Sequence, residues 1–241
     1  MDDFIFGKNS VRELLQSNRS INKIFVVKGF KDKELLQLAR QKKVIIKTIE
    51  KKKLDSLVEG KNHQGIVASV SPKNYVEIEE IIHKGTEGEK FIIALDSLED
   101  PHNLGAILRV ADGAGVDGIV IPKNRAVPLT STVAKVAAGA METVPVAKVT
   151  NLGRTIEKLK EAGFWVTGAD SQGSPFYTTD LKGNVCLVVG GEGKGITRLI
   201  KEKCDFIASI PLKGKVTSLN AATATAILSY EVVRQRENER S

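Results

Sequence analysis

Cysteine, histidine and aromatic side chains are all scarce in this chain, and each scarcity closes off a class of function. Two cysteines in 241 residues, Cys186 and Cys204, fit neither a zinc motif nor a disulfide framework, so both are expected to be reduced and buried. The three histidines, His63, His83 and His102, have no cysteine or aspartate constellation around them, so no metal site or nucleophilic triad is expected. Phe, Trp and Tyr supply 5% of the residues, and the first 72 hold too few of them for a base-stacking sheet surface. No apolar run approaches the ~20 residues of a membrane span. The opening MDDFIFGKNS lacks a basic stretch followed by an apolar one, so no signal peptide is expected and a cytoplasmic protein is the default.

What is present is ordinary in amount and uneven in place. At 41% hydrophobic and 27% charged, the composition is that of a soluble globular protein, long enough for one large domain or two modest ones. The formal charge is +7. Residues 1–72 hold 15 Lys and Arg against 8 Asp and Glu, while residues 73–241 hold 21 of each, so the whole excess sits in the first third. The cluster Lys51-Lys52-Lys53 taken alone reads as a solvated face. An asymmetry this complete points instead to a module for a polyanion, RNA or DNA, because phosphate contacts draw on clustered Lys and Arg.

Residues 1–72 alternate helix and strand signals. Val11, Leu14 and Leu15 mark one helical face, Lys23–Lys28, Val44–Ile49 and Gly65–Val70 read as strands, and a helix is expected over Leu35–Lys42. Residues 73–90, with five glutamates and glycines at 85 and 88, read as a linker with one short helix near Ile78–His83. From Phe91 to the end the pattern is a regular strand–helix alternation. Strands are expected at Phe91–Leu95, Gly118–Pro122, Val144–Val149, Phe164–Gly168, Val185–Val189 and Phe206–Leu212. Helices are expected at Leu104–Gly113, Ser131–Met141, Leu152–Ala162, Ile196–Lys203 and Leu219–Arg236. Near-continuous apolar strands between helices imply an α/β domain whose parallel sheet is covered on both faces.

Gly113-Ala-Gly-Val-Asp-Gly118 satisfies GxGxxG, but a helix precedes it and a strand follows, the reverse of a dinucleotide site. It reads as a helix C-cap and turn. Gly190-Gly-Glu-Gly-Lys-Gly195 lacks the Walker spacing, yet a loop this rich in glycine after an apolar strand suits close backbone approach to a ligand. In Asp100-Pro-His-Asn-Leu-Gly-Ala-Ile-Leu-Arg109, the residues Leu104, Ile107, Leu108 and Ala111 form an apolar stripe. Arg109 lies ~100° round from Leu108, off that stripe, and from this fragment alone reads as a surface arginine. The last segment, Ile210-Pro-Leu-Lys-Gly-Lys-Val-Thr-Ser-Leu-Asn220, joins a strand to an Ala-rich helix with Ser218 as the expected N-cap.

These last three segments, in this order, resemble the motifs of the SpoU/TrmH branch of the SPOUT methyltransferases. Leu212 stands where many members have Met, and Ala221-Ala222 where Val-Ser is common. The resemblance covers about residues 91–236, and implies methylation of ribose 2′-hydroxyls in RNA from S-adenosylmethionine. It also implies a C-terminal trefoil knot and a homodimer in which motif-one residues of one subunit approach the other's cofactor. Ala222, Ala226, Ser229 and Val233 are expected to give the last helix a small-residue face for that interface. Residues 1–72 are similar to the L30e-like RNA-binding domain of some members, a pairing like that of the 23S ribosomal RNA guanosine-2′-O-methyltransferase of the RlmB type. The implied organisation is an RNA-binding domain at 1–72, a linker at 73–90 and a methyltransferase domain at 91–241. Carried over by position, Asn103, Arg109, Glu192, Ser218 and Asn220 become candidate catalytic residues. Gly190, Ile210 and Leu219 become backbone contacts to the cofactor, with no metal. A tRNA 2′-O-methyltransferase and a non-catalytic RNA-binding assembly factor stand as alternatives.

Overall fold

The computed structural model describes residues 3–83, 88–193 and 195–239; Gly85 of the expected linker, and Lys194 in the glycine-rich loop, lie outside them. The chain divides into two units, Met1–Asn74 with Pro128–Ala134, and Tyr75–Val127 with Lys135–Ser241.

The first unit runs β1 (Asp3–Phe6), α1 (Lys8–Gln16), β2 (Ile21–Val27), α2 (Lys33–Gln41), β3 (Ile46–Ile49), α3 (Lys51–Leu57) and β4 (Ile66–Val70). Its sheet has the order β1-β4-β2-β3, antiparallel except for the parallel β2–β3 pair. The period-2 pattern of INKIFVV buries Asn22, Ile24 and Val26 on one face of β2. Val11, Leu14 and Leu15 of α1 and Leu35 and Ala39 of α2 join Ile24 and Val26 in one core. Asp32 caps α2 by accepting from the Leu35 N–H at 3.0 Å. A second, smaller cluster lies around Leu54 and Val58, with Phe25, Val27 and Ile49 against it. His63 is buried as a strut: its Nδ1 accepts from the Gly65 N–H (2.9 Å), which leaves Nε2 to donate to Asp55 (2.7 Å).

The second unit contains α4 (Ile78–His83), β5 (Phe91–Asp96), α5 (Pro101–Gly113), β6 (Gly118–Pro122), α6 (Ser131–Ala137), α7 (Ala140–Thr143), β7 (Val146–Val149), α8 (Leu152–Glu161), β8 (Trp165–Pro175), β9 (Val185–Gly190), α9 (Arg198–Lys201), β10 (Phe206–Ser209) and α10 (Ala221–Glu239); the first turn of α6 falls in the first unit. Six strands form one parallel sheet in the order β10-β8-β9-β5-β6-β7. β5, apolar up to the Asp96 that ends it, and the apolar β9 are the central pair and are buried at every residue, as strands covered on both faces must be. No helix among the described residues is long and apolar enough to cross a membrane.

Several boundaries differ from the expectation. The helix expected over Ser131–Met141 is two helices, because Ala138 (φ 49°) and Gly139 (φ 96°) turn the chain left-handed between them. β10 ends at Ser209 rather than Leu212, which frees residues 210–220 as a loop. β8 runs on to Pro175, and its pairing with β10 shifts register between Ile207 and Ala208. Gly115 (φ 67°) makes the turn after α5, consistent with the C-cap reading of the GxGxxG string. Cys204 is partly exposed, not buried; burial and the neighbouring Asp205 push its thiol up to about 11. Ala222 and Ser229 are buried within their own chain, where α10 packs on α5 and β9, so they are unavailable for an interface.

Candidate active site

Three loops leave the carboxyl ends of β5, β9 and β10 and enter helices, the usual place for ligands in a parallel α/β sheet. Asp100, before α5, accepts from the N–H groups of His102 (3.3 Å) and Asn103 (3.1 Å), with Pro101 at the first helical position where no donor is missed. That cap fixes Asn103, 5% exposed, with its amide turned to the other two loops. Its Nδ2 donates to Glu192 Oε1 at 2.8 Å. Asn220 Nδ2 donates to both Asn103 Oδ1 (2.8 Å) and Glu192 Oε1 (2.9 Å). The three segments singled out in the sequence are thus tied by one carboxylate and two amides.

Asn220 does a second job. Its Oδ1 accepts from the N–H groups of Ala222 (2.9 Å) and Thr223 (3.2 Å), so it, and not Ser218, caps α10. The helix starts at Ala221, and Ser218 remains in the loop with its side chain exposed. One asparagine thereby couples the start of α10 to the geometry around Glu192.

The glycine-rich loop is held by Asp96, the last residue of β5. Its backbone carbonyl accepts from the Gly191 N–H (2.9 Å) and its Oδ2 from the Thr197 N–H (2.7 Å), which clips the loop at both ends. Ser97 sits at φ 61° and donates from Oγ to Asp96 Oδ1 at 3.1 Å. A Cβ on Gly190 would stand 1.9 Å from the Gly195 carbonyl carbon, and one on Gly191 would stand 2.3 Å from the Ser97 oxygen. These two glycines allow chain to pass against chain, so close ligand approach is not their only reason for being there.

Beside this network lies a cavity of about 710 Å³, within the ~300–1,000 Å³ range of small-molecule sites. Gly190, Glu192, Ile210, Ser218, Leu219 and Asn220 all line it. Asp170 of β8 lines it too and was not singled out from sequence, because a lone acid after a strand carries no pattern. Burial pushes the Asp170 carboxyl up, but the Gln172 N–H and Lys201 (3.0 Å) outweigh it and hold the group below its usual range. Asp96 was missed for the same reason. Arg109 is not among the residues lining the cavity. It is exposed on α5, six residues beyond Asn103, about 9 Å further along the helix and turned by about 120°. Asn103 is likewise not a lining residue and reaches the site through its bonds to Glu192 and Asn220. Among the described residues no group of three His, Cys, Asp or Glu is placed to hold a metal ion.

Comparison with known proteins gives this geometry a context. Residues 90–230 match the model of the SpoU rRNA Methylase family, and residues 4–76 match the model for RNA 2′-O ribose methyltransferase substrate binding. YacO of Bacillus subtilis, named as a putative TrmH family tRNA/rRNA methyltransferase, is 48% identical over 241 residues, covering 97% of this chain and 96% of its own. The SpoU methyltransferase AviRb from Streptomyces viridochromogenes, solved in complex with the cofactor AdoMet, shares the fold with a TM-score of 0.64. That match covers 98% of this chain and 91% of AviRb at 20% identity. A TrmH/SpoU tRNA modifying enzyme of A. aeolicus matches 67% of this chain and 82% of its own with a TM-score of 0.56 at 28% identity.

Proposed function

From the premise that the chain belongs to the SpoU rRNA Methylase family of RNA methyltransferases, we propose that it transfers a methyl group from S-adenosylmethionine to a ribose 2′-hydroxyl, on a guanosine of 23S ribosomal RNA. The observation that carries this is the Asn103–Glu192–Asn220 network, which fastens three loops from distant parts of the chain around one cavity.

The cavity's chemistry fits the cofactor. Ile210, Leu212 and Leu219 offer aliphatic walls with adjacent backbone for an adenine, and Gly190 leaves its backbone open. Asp170 and Glu192 line the cavity with acidic groups suited to a sulfonium cation. Bound there, S-adenosylmethionine supplies an activated methyl group. Glu192 Oε1 is occupied by the two amides, and Oε2 has no hydrogen bond among the described residues, which leaves it to accept one from the substrate. The Ser218 hydroxyl stands on the exposed side of the cavity, where a ribose would enter. Arginine has five donors and no acceptor, so the role that suits Arg109 is donation to the developing alkoxide and its neighbouring phosphate. Its absence from the lining of its own chain's cavity supports a homodimer in which it serves the partner subunit's site. The family resemblance also supports a trefoil knot in the C-terminal region.

The basic first unit, matched by a substrate-binding model, favours ribosomal RNA over tRNA. Ribose methylation mapped across total RNA from cells with and without the protein tests the whole reading. One lost position in 23S rRNA is expected; a lost tRNA position would move the substrate, and an unchanged map would overturn the activity.

A further inference from the structure

β2 and β3 run parallel with Phe25 opposite Lys47, so these side chains leave the sheet on one face, and Lys23, two residues before Phe25, joins them. Lys23 Nζ stands 6.0 Å from the centroid of the Phe25 ring, and Lys47 is its diagonal neighbour on the next strand. Further along this face Phe25, Val27 and Ile49 pack against Leu54 of α3, so the two lysines stand at the edge of apolar ground. Among the described residues neither ammonium has a carboxylate partner. Burial first, and then Lys47, hold the Lys23 ammonium below its ordinary pKa.

Two like charges held side by side on neighbouring strands, with no acid to balance them, are relieved by an anion placed between them. The strands are ~4.8 Å apart, and two ammonium groups carried on them can converge on the oxygens of a single tetrahedral anion. A neighbouring aromatic ring that is half-buried suits the apolar side of a sugar. We propose that Lys23 and Lys47 clamp one phosphate of the RNA backbone, with Phe25 as the wall for the adjoining ribose. This rests on RNA being the substrate, and it names the part of the first unit that holds the backbone without reading its sequence.

The test uses the full chain and transcribed 23S rRNA, with binding measured across a salt series. Lys23→Ala/Lys47→Ala is expected to weaken binding about tenfold or more at moderate salt and to reduce the slope of log K against log salt by about one to two. Lys23→Arg/Lys47→Arg is expected to keep both near the parent values. S-adenosylmethionine binding and the melting temperature of the alanine variant should not fall, since the change removes a repulsion. An unchanged affinity and slope in the alanine variant would overturn the clamp, as would a lost affinity with an unchanged slope. Competition by poly-glutamate as strong as that by RNA would overturn it in favour of an acidic protein partner. A parent protein that binds cofactor but no RNA would overturn the substrate reading itself, a result distinct from failure of the two lysines alone.

Discussion

The two units handle charge in opposite ways. In the second, basic groups are neutralised nearly where they stand: Lys158 by Glu79, Lys203 by Glu157, Lys160 by Asp205 and Lys201 by Asp170. The segment from residue 73 onward, which contains the whole of this unit, carries 21 basic and 21 acidic residues, and the unit's cavity is organised by neutral amides and backbone N–H groups around single carboxylates. In the first unit Lys23 and Lys47 stand on neighbouring strands with no acid paired to them among the described residues, within a segment carrying the entire excess of seven. A long polyanion is gripped by unbalanced charge, which salt screens. A small ligand in a half-enclosed cavity is gripped by placed donors and acceptors, which salt hardly touches. Binding of RNA by this protein is therefore expected to be steeply salt-dependent, and binding of cofactor nearly flat.

The contrast breaks most visibly at Arg109, an exposed charge that belongs to the balanced unit and that the proposed mechanism gives to RNA. Arg109→Ala is expected to lower methyl transfer by about 100- to 1,000-fold, the loss typical of one transition-state donor. Cofactor affinity should stay within about twofold, and the salt slope of RNA binding should change little beside that of the Lys23/Lys47 double variant. Near-normal single-turnover rates in Arg109→Ala would remove this residue from the mechanism. Substantial rescue by Arg109→Lys would show that charge alone suffices and that the fork geometry of the guanidinium does not matter.

Asn220 tests the other half of the comparison, recognition by neutral groups. Asn220→Ala removes the cap of α10 and both amide donations, and is expected to cost about 2–3 kcal/mol of stability and at least tenfold in cofactor affinity. Asn220→Asp keeps an acceptor for Ala222 and Thr223 but has no N–H to give, and it sets a second carboxylate beside Glu192. It should melt below the parent protein, because an oxygen then faces Asn103 Oδ1 and Glu192 Oε1 with no proton between them, and should lose most cofactor affinity. If calorimetry shows equal cofactor affinity in the two variants and the parent, the network is scaffolding alone.

How far all this could be read from sequence depends on the kind of signal. Periodicity located α1, through Val11, Leu14 and Leu15, and the buried strands β5 and β9, because burial imposes a spacing that survives in one chain. It failed for α3, where Lys51, Lys52 and Lys53 occupy the first turn against the helix dipole and only Leu54 is fully buried. It failed also for the cap of α10. Ser218 and Asn220 are equally good capping types, but Asn220 has both an acceptor for the helix and donors for the site, and the site decides. The meeting of Asn103, Glu192 and Asn220, separated by up to 117 residues, has no local signature. Only the resemblance of the three motifs brought them together. Asp96 lay hidden because an acid ending an apolar strand looks like the first residue of a loop.

Asp96 gives an intermediate effect. It is 6% exposed and bonds Thr197 at 2.7 Å, so Asp96→Ala leaves that N–H without its acceptor and releases one end of the glycine-rich loop. A loss of about 1–3 kcal/mol is expected, with cofactor KM raised more than kcat is lowered, because the loop carries Glu192 into the cavity wall. Asp96→Asn retains an oxygen for Thr197 and should recover most of the KM. Equal KM in the alanine and asparagine variants would show that the carboxylate does not position the loop.

The smallest effect comes from Asp170, where the balanced unit places a neutralised carboxylate in its own cavity. Its side chain is 18% exposed and its partner Lys201 29% exposed, so the pair contributes about 1 kcal/mol or less. The folded-state pKa is lowered from the ordinary 3.8, which sets the sign. The stabilisation is fully present above the unfolded value and disappears as pH falls through the lower folded one. The difference in melting temperature between the parent protein and Asp170→Asn is therefore expected to be constant from about pH 8 to pH 5, and to shrink below about pH 4. A difference that grows on acidification would mean that burial, and not Lys201 and the Gln172 N–H, sets the state of this carboxyl. The cavity would then hold a neutral acid where a cation-binding carboxylate is required.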